Sequence, residues 1–409
     1  MKRSRILTAL AVLTMLAALV GTGCGQDNSE PVSQAPQTEQ TASPFAGGSG
    51  TADDPWQIAE AAQLRAVTEH LEGHYVLTAD LDLSGEADFD SIGYFEPASS
   101  APEDEETPKA SSAFSGVFDG AGHTIANVTI AAKEQAGVGL FGCVSGDGAG
   151  VKNLAVENIT VLGGAYTGGI IGYGDYGVLV QELQMRGSNT VSGTSLVGGV
   201  IGAAHCNILD CQAEAEVTLR ASGAQGAGVI VGGEEDGYVE NCTASGSVTA
   251  AEGCFSIGGL AGCFHNSTYA RNCSVTEMTI QTGENCYMVG GLTGHAGTAE
   301  GAPTAISGCT VRETQIEAAG GTERVGGIVG SGFYGSAYAA YYSEPTAFAL
   351  SQCQAEAAIS GGRLVGAMAG YVYDNSTLTD CQGTVTDPSG QQWPMVGGDL
   401  TTAELTTLL

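Results

Sequence analysis

The sequence predicts an all-β protein, a right-handed parallel β-helix wound as a solenoid with a short helical cap at its N-terminal end. Three observations predict it. A short apolar run closed by glycine recurs along the chain: VGLFG ends at Gly142, GGIIG at Gly172, GGVIG at Gly202, GVIVG at Gly232, GGLAG at Gly262, GGLTG at Gly294, GGIVG at Gly330 and VGAMAG at Gly370. The first intervals are 30 residues and the later ones 32, 36 and 40. A sustained fixed period marks a stacked-repeat architecture. The second observation is a cysteine at one repeat position (Cys211, Cys242, Cys273, Cys309, Cys353 and Cys381), followed by runs such as AEAEVTL and ASGSVTA. Apolar and polar residues alternate there as in a half-buried strand. The third is 63 glycines in 409 residues without a Gly-X-Y period, beside plentiful aliphatic residues. That composition excludes collagen and calls for tight bends around a core of small side chains.

One coil cannot close a core alone. Equivalent strands stacked in register pair their backbones about 4.8 Å apart and set each inward Val, Ile, Leu or Cys above its counterpart. Glycine pairs suit the corners because they reach positive φ without steric cost. Parallel crossovers are right-handed by strong preference, which gives the expected hand. A propeller blade needs about 40–45 residues, more than this repeat supplies. No segment between residues 114 and 395 carries a helical period.

The elements follow in order. Residues 1–23 read as an export signal, with Lys2, Arg3 and Arg5 before an uncharged apolar stretch from Ile6 to Val20. That stretch is shorter than the roughly 20 residues of a membrane-spanning helix. Gly21-Thr22-Gly23-Cys24 resembles a bacterial lipobox, with Gly21 where Leu is usual. The resemblance implies lipidation of Cys24 and anchoring on the extracellular face of the cell membrane. Residues 24–48, rich in Gln, Ser, Pro and Thr, have little to bury and are expected to form a disordered tether. Residues 49–136 hold the cap and lead-in coils, with Leu64, Val67 and Leu71 at helical spacing. Residues 137–396 hold the repeats. Residues 397–409 are expected to cap the other end, since an open solenoid offers unpaired strand edges.

The pairing of Gly258-Gly259-Leu260-Ala261-Gly262 with Asn241-Cys242-Thr243-Ala244-Ser245-Gly246-Ser247-Val248 resembles the GLUG-motif repeat of bacterial surface proteins. The lead-in matches as well: GTADDPWQIAEAAQLRAV, YVLTADLDLSG, FSGVFDGAGHTIANVTI and VGLFG. The resemblance runs from about Gly48 to about Val385. It departs at Gly228, which lacks a partner at position 227, and in the first two coils, which lack the cysteine. It implies a surface-exposed β-helix of adhesive or unassigned role and fixes no chemistry.

Charge limits the partners. After removal of the signal, 10 Lys and Arg face 45 Asp and Glu, a net charge near −35. Repulsion of that size argues against nucleic acid and anionic membrane surfaces. It permits cations, basic peptides and neutral glycans. The six repeat cysteines read as an inward ladder of small apolar groups. Cys143, Cys206, Cys254, Cys263 and Cys286 stand apart, and a disulfide such as Cys206 with Cys211 is the alternative for some of them. No C-x-x-C occurs, so no metal or other cofactor is expected. His205, His265 and His295 follow anchor glycines on one side of the solenoid and read as solvated loop residues. His123 reads as a turn hydrogen-bonder.

A hydrolase needs two converging carboxylates, and a lyase needs an acidic cluster with a base. Glu234-Glu235-Asp236, Asp175 and Asp374 look scattered in sequence, so no catalytic residue is assigned. The segment after each anchor glycine varies while the coil stays fixed, and insertions at one repeat position emerge on one face. The longest, 331–348, carries Phe333, Tyr334, Tyr338, Tyr341, Tyr342 and Phe348. Together with Tyr371 and Tyr373 of the next coil, these residues (Phe348 aside) are the expected contact strip for a glycan or protein. The resulting expectation is a non-enzymatic surface lipoprotein for adhesion or ligand binding. A carbohydrate-active β-helix enzyme and an envelope spacer are the alternatives.

Overall fold

The computed structural model describes residues 43–94, 112–266, 268–297, 304–332, 347–373 and 376–400. Cys24, residues 25–42 of the expected tether and residues 401–409 of the expected cap at 397–409 lie outside the described residues. The last residues of the tether are not disordered: Phe45 is 6% exposed and stacks on Trp56 with ring centroids 4.8 Å apart, so the packed body begins before residue 49. The described chain is a parallel β-solenoid. Every pairing between its named strands is parallel, from Trp56–Ile58 against Tyr75–Leu77 to Gln354–Gly366 against Gln382–Thr386. Among the described residues, one sheet of 27 strands holds most of each coil, and a second of nine strands runs from Phe141–Val144 to Asp399–Leu400. The chain thus turns between two sheet surfaces once per repeat.

Register explains the alternation read in the sequence. Val156, Met185, Ala213, Ala244, Val275, Val311 and Ala355 are successive rungs of one buried row. One residue earlier lies the outward row of Ala155, Gln184, Gln212, Thr243, Ser274, Thr310 and Gln354. Small or branched inward side chains are required because each has a copy about 4.8 Å above and below it.

The NC marker has a backbone cause. Asp210, Asn241, Asn272, Gln352 and Asp380, each directly before a ladder cysteine, have φ between 53° and 57°, with Gly308 at 64°. Asn and Asp tolerate this left-handed bend better than other side chains. The bends also bond along the column: Asn241 Nδ2 donates to Asp210 Oδ1 at 2.9 Å, and Asn272 Nδ2 to Asn241 Oδ1 at 3.5 Å. The following cysteines point inward. Cys211, Cys242, Cys273, Cys309 and Cys353 are buried free thiols, and Cys381 at the end is half-buried. Cys206 is free too, so it is not joined to Cys211. Hydrogen bonding to Cys211, reinforced by burial, keeps the Cys242 thiol protonated, well above its ordinary pKa, although Cys273 pulls the other way.

The corner glycine pairs do not adopt the conformation the sequence argument gave them. Gly168 and Gly198 are absent from the positive-φ positions. They permit close approach instead: a Cβ on Gly198 would lie 1.8 Å from the Ile201 carbonyl oxygen. Register pairs Gly168 with Gly198 and Gly198 with Gly228. The departure from the motif is therefore Val229, in the place of Gly169 and Gly199, and not residue 227.

The helical cap is shorter than its periodicity suggested. The α-helix spans Ala61–Ala66 and continues as a 3-10 turn over Val67–Glu69. Leu64 and Val67 are fully buried, while Leu71 is only half-buried. At the far end, residues before the expected cap fold back over the last coil. Trp393 N–H donates to the Val385 carbonyl at 2.9 Å, Ala367 N–H to Pro394 at 2.6 Å, and Gly397 N–H to Ala369 at 3.0 Å.

Candidate functional site

Two polar places stand out on the described surface. The first is a cleft of about 690 Å³ along the left-handed bends of four coils. Ala121, Asn153, Glu182 and Asp210 line it from the bends, Asp119 from the strand end before the first of them, and Gln184, Gln212 and Arg186 from the outward strand rows. Its Asp119 is already engaged. Burial works to raise its pKa, but hydrogen bonds from Ala121 N–H and Asn153 and the charge of Lys152 at 3.2 Å outweigh it and hold the carboxyl low.

The second place is a corner at the end of the nine-stranded sheet. Register continues the strand rows into it: Ala204 pairs with Glu234, and Glu235 with His265. Tyr176 leaves the turn after Ile171–Gly174 and lies along the column, its hydroxyl donating to Asp236 Oδ2 at 3.0 Å, 60 residues on. The Tyr176 hydroxyl oxygen also meets His205 Nδ1 at 3.1 Å. Because the hydroxyl proton goes to Asp236, His205 Nδ1 is the donor and Nε2 is left facing Glu235 Oε2 at 3.9 Å. Asn266 donates to the other oxygen of Glu235, and Ser145 donates to Asp175 at 2.7 Å. Burial lowers the His205 pKa, while Asp175 and Asp236 work against it. Beneath this network Glu234 is 1% exposed, and burial raises its carboxyl well above the ordinary range.

His265 and His295 are therefore not solvated loop residues, while His205 lies in the bend after Ile201–Ala204 and is half-buried. His265 and His295 are buried inside strands Ala261–His265 and Thr293–Gly297, with ring centroids 5.1 Å apart. The strands run past the anchor glycine, so positions one and three residues beyond it are still in the sheet. Burial pushes His265 down to about 4 and holds His295 well below its ordinary value, so both are neutral at physiological pH. His123 behaves as expected, its Nδ1 meeting Asp80 Oδ1 at 3.1 Å. No group of three or more metal-ligating side chains occurs among the described residues.

Of the expected contact strip, Phe333, Tyr334, Tyr338, Tyr341 and Tyr342 lie outside the described residues, as does the side chain of Tyr373. Tyr371 does not fit an exposed strip. It is 5% exposed, with the Arg324 guanidinium 5.2 Å from its ring centre. Its register with Ser331 keeps it on a sheet row rather than in the variable segment. Phe348, the last aromatic of that insertion, is fully buried opposite Thr304. Sequence reasoning missed the corner because its carboxylates are far apart along the chain. Read modulo 30, Asp175-Tyr176, His205 and Glu235-Asp236 fall at adjacent positions of successive coils.

No family model matches the sequence. Over 131 residues the chain is 37% identical to "Halomucin" of Haloquadratum walsbyi, covering 31% of this chain and 1% of that protein. Over 139 residues it is 33% identical to "Putative Gly-rich membrane protein" of Evansella cellulosilytica, covering 33% of this chain and 15% of that one. The matched regions are thus a small part of both curated relatives. A solved structure, "putative immunoglobulin A1 protease from Bacteroides ovatus", aligns with a TM-score of 0.48 at 17% identity, over 84% of this chain and 86% of that one.

Proposed function

We propose that this chain is a non-enzymatic, lipid-anchored cell-surface protein whose solenoid binds an extracellular glycan along the cleft between Asp119 and Gln212. The observation that carries the reading is the cleft itself: carboxylates and side-chain amides repeat at coil spacing along an open surface. Sugar hydroxyls both donate and accept, so such a mixed row can bond successive residues of a chain. The export signal, the lipobox-like Cys24 and the GLUG-like repeats support surface display, as do the printed names of the two partial relatives. Asp119 fits a binding role better than that of a general acid, because its hydrogen bonds and Lys152 hold its carboxyl low, whereas glycoside hydrolysis needs one carboxylic acid kept protonated.

A glycan array probed with the mature chain tests this reading. Binding is expected, and Arg186→Ala combined with Gln212→Ala should weaken it about tenfold, the loss of two or three hydrogen bonds. Binding that survives this change but disappears on deletion of 333–346, which spares the strand residues Ser331 and Phe348, would move the site to the aromatic insertion. No binding to any glycan or host protein would leave the spacer reading.

A further inference from the structure

The corner around Tyr176 is chemically unlike the cleft. Tyr176 is 52% exposed, an unusual position for a large ring, yet it is not loose. Its hydroxyl is fixed by Asp236 at 3.0 Å and His205 at 3.1 Å, and its ring lies over the His205 ring with centroids 4.8 Å apart. The two rings are tilted by 42°, and the rest of the Tyr176 side chain is open to solvent. The charged side chains acting on Tyr176 are Asp236, Glu235 and Asp175, all negative. Donation of its proton to a carboxylate keeps the phenol ring electron-rich. A fixed aromatic face edged by carboxylates attracts an organic cation through the ring quadrupole and through charge. The hydrogen bonds have already removed most of the ring's rotamer freedom, so little order remains to be imposed on binding.

We propose that the exposed ring of Tyr176, with Asp236 at its hydroxyl, Asp175 at its backbone N–H and Glu235 beyond His205, binds alkylammonium or guanidinium groups of a lysine- or arginine-rich peptide segment. Small inorganic cations hold their water too tightly to profit from the ring, and anionic ligands are repelled by the three carboxylates. This ligand chemistry differs from that proposed for the cleft, and the two sites can fail separately.

The test is fluorescence anisotropy of a labelled, amidated hexalysine peptide with the mature chain at about 0.15 M salt, where long-range attraction is screened within about 8 Å. Tyr176→Leu removes the ring and keeps an apolar side chain, and should weaken binding roughly threefold to fivefold. Tyr176→Phe keeps the ring and should retain most of the affinity. Asp236→Asn should weaken binding, whereas Glu356→Gln, the same charge change at an exposed site on strand Gln354–Gly366, should not. Equal loss from Asp236→Asn and Glu356→Gln would mean that only diffuse acidity attracts the peptide. That result, or a Tyr176→Leu variant as tight as the parent, or a parent chain that does not bind, overturns the proposal.

Discussion

Glu234 is the least expected residue of this column. Its rung neighbours in the row are Ala204 and Phe264, both buried, so its carboxyl enters an apolar layer. Burial raises its pKa first, the Cys206 and Gly237 N–H groups act against burial, and Glu235 and Asp236 add to the rise. The unfolded chain releases this proton near the ordinary carboxyl value of 4.5, while the folded chain still holds it at higher pH. Native protein therefore binds more protons across that window, and stability falls as pH rises from about 4.5 toward the folded pKa. Glu234→Gln removes the titration. Thermal unfolding at pH 4, 6 and 8 should show the variant gaining on the parent as pH rises, with little difference at pH 4. Parallel profiles would mean that the carboxyl is ionised in the fold. In sequence Glu234 looked like one of three neighbouring surface acids. Only register reveals that it points inward while Glu235 and Asp236 point out.

At the scale of the element, the corners decide what was legible. The period of the anchor runs, the half-buried strands and the inward cysteines were all readable, because each depends on side-chain size and alternation that repeat in the sequence. The reason for the glycines was not. At the NC bends positive φ falls largely to Asn and Asp, while the corner glycines Gly168 and Gly198 make room for a neighbouring backbone. This inverts a simple expectation about substitution. Gly85 has φ 79° but open space around it, so Gly85→Ala should cost about 1–2 kcal/mol of backbone strain. Gly198 has ordinary φ, but its Cβ would overlap a carbonyl oxygen at 1.8 Å. Gly198→Ala should cost at least about 3 kcal/mol, since the backbone of two coils must part. Urea unfolding of both variants ranks them, and a Gly85 variant less stable than the Gly198 variant would refute this account of the corner. The cap shows the same limit on reading by pattern. Leu64 and Val67 sit at helical spacing and are buried, but the α-helix proper ends at Ala66, because the spacing reports which face is covered and not where the backbone bonds stop.

For the whole molecule, stability should be close to a sum over coils and the interfaces between them, because each coil touches mainly its neighbours. Thr243 pairs in register with Ser274, 31 residues on. Deleting 243–273 joins Cys242 to Ser274 and restores the register of both sheets. It leaves Tyr176, His205, Asp236 and the cleft in place and removes one interface with its hydrogen bonds. The product should keep its β-sheet circular dichroism, unfold cooperatively at a somewhat lower temperature, and be shorter by about 4.8 Å along the axis in small-angle scattering. Deleting only about half that length should abolish cooperative unfolding. It puts inward residues on the solvent face in every later strand until the register recovers, and a period-2 pattern offers no partial solution. If both deletions behaved alike, the layers would not be independent units, and the repeat would be a feature of the sequence without being the unit of the fold.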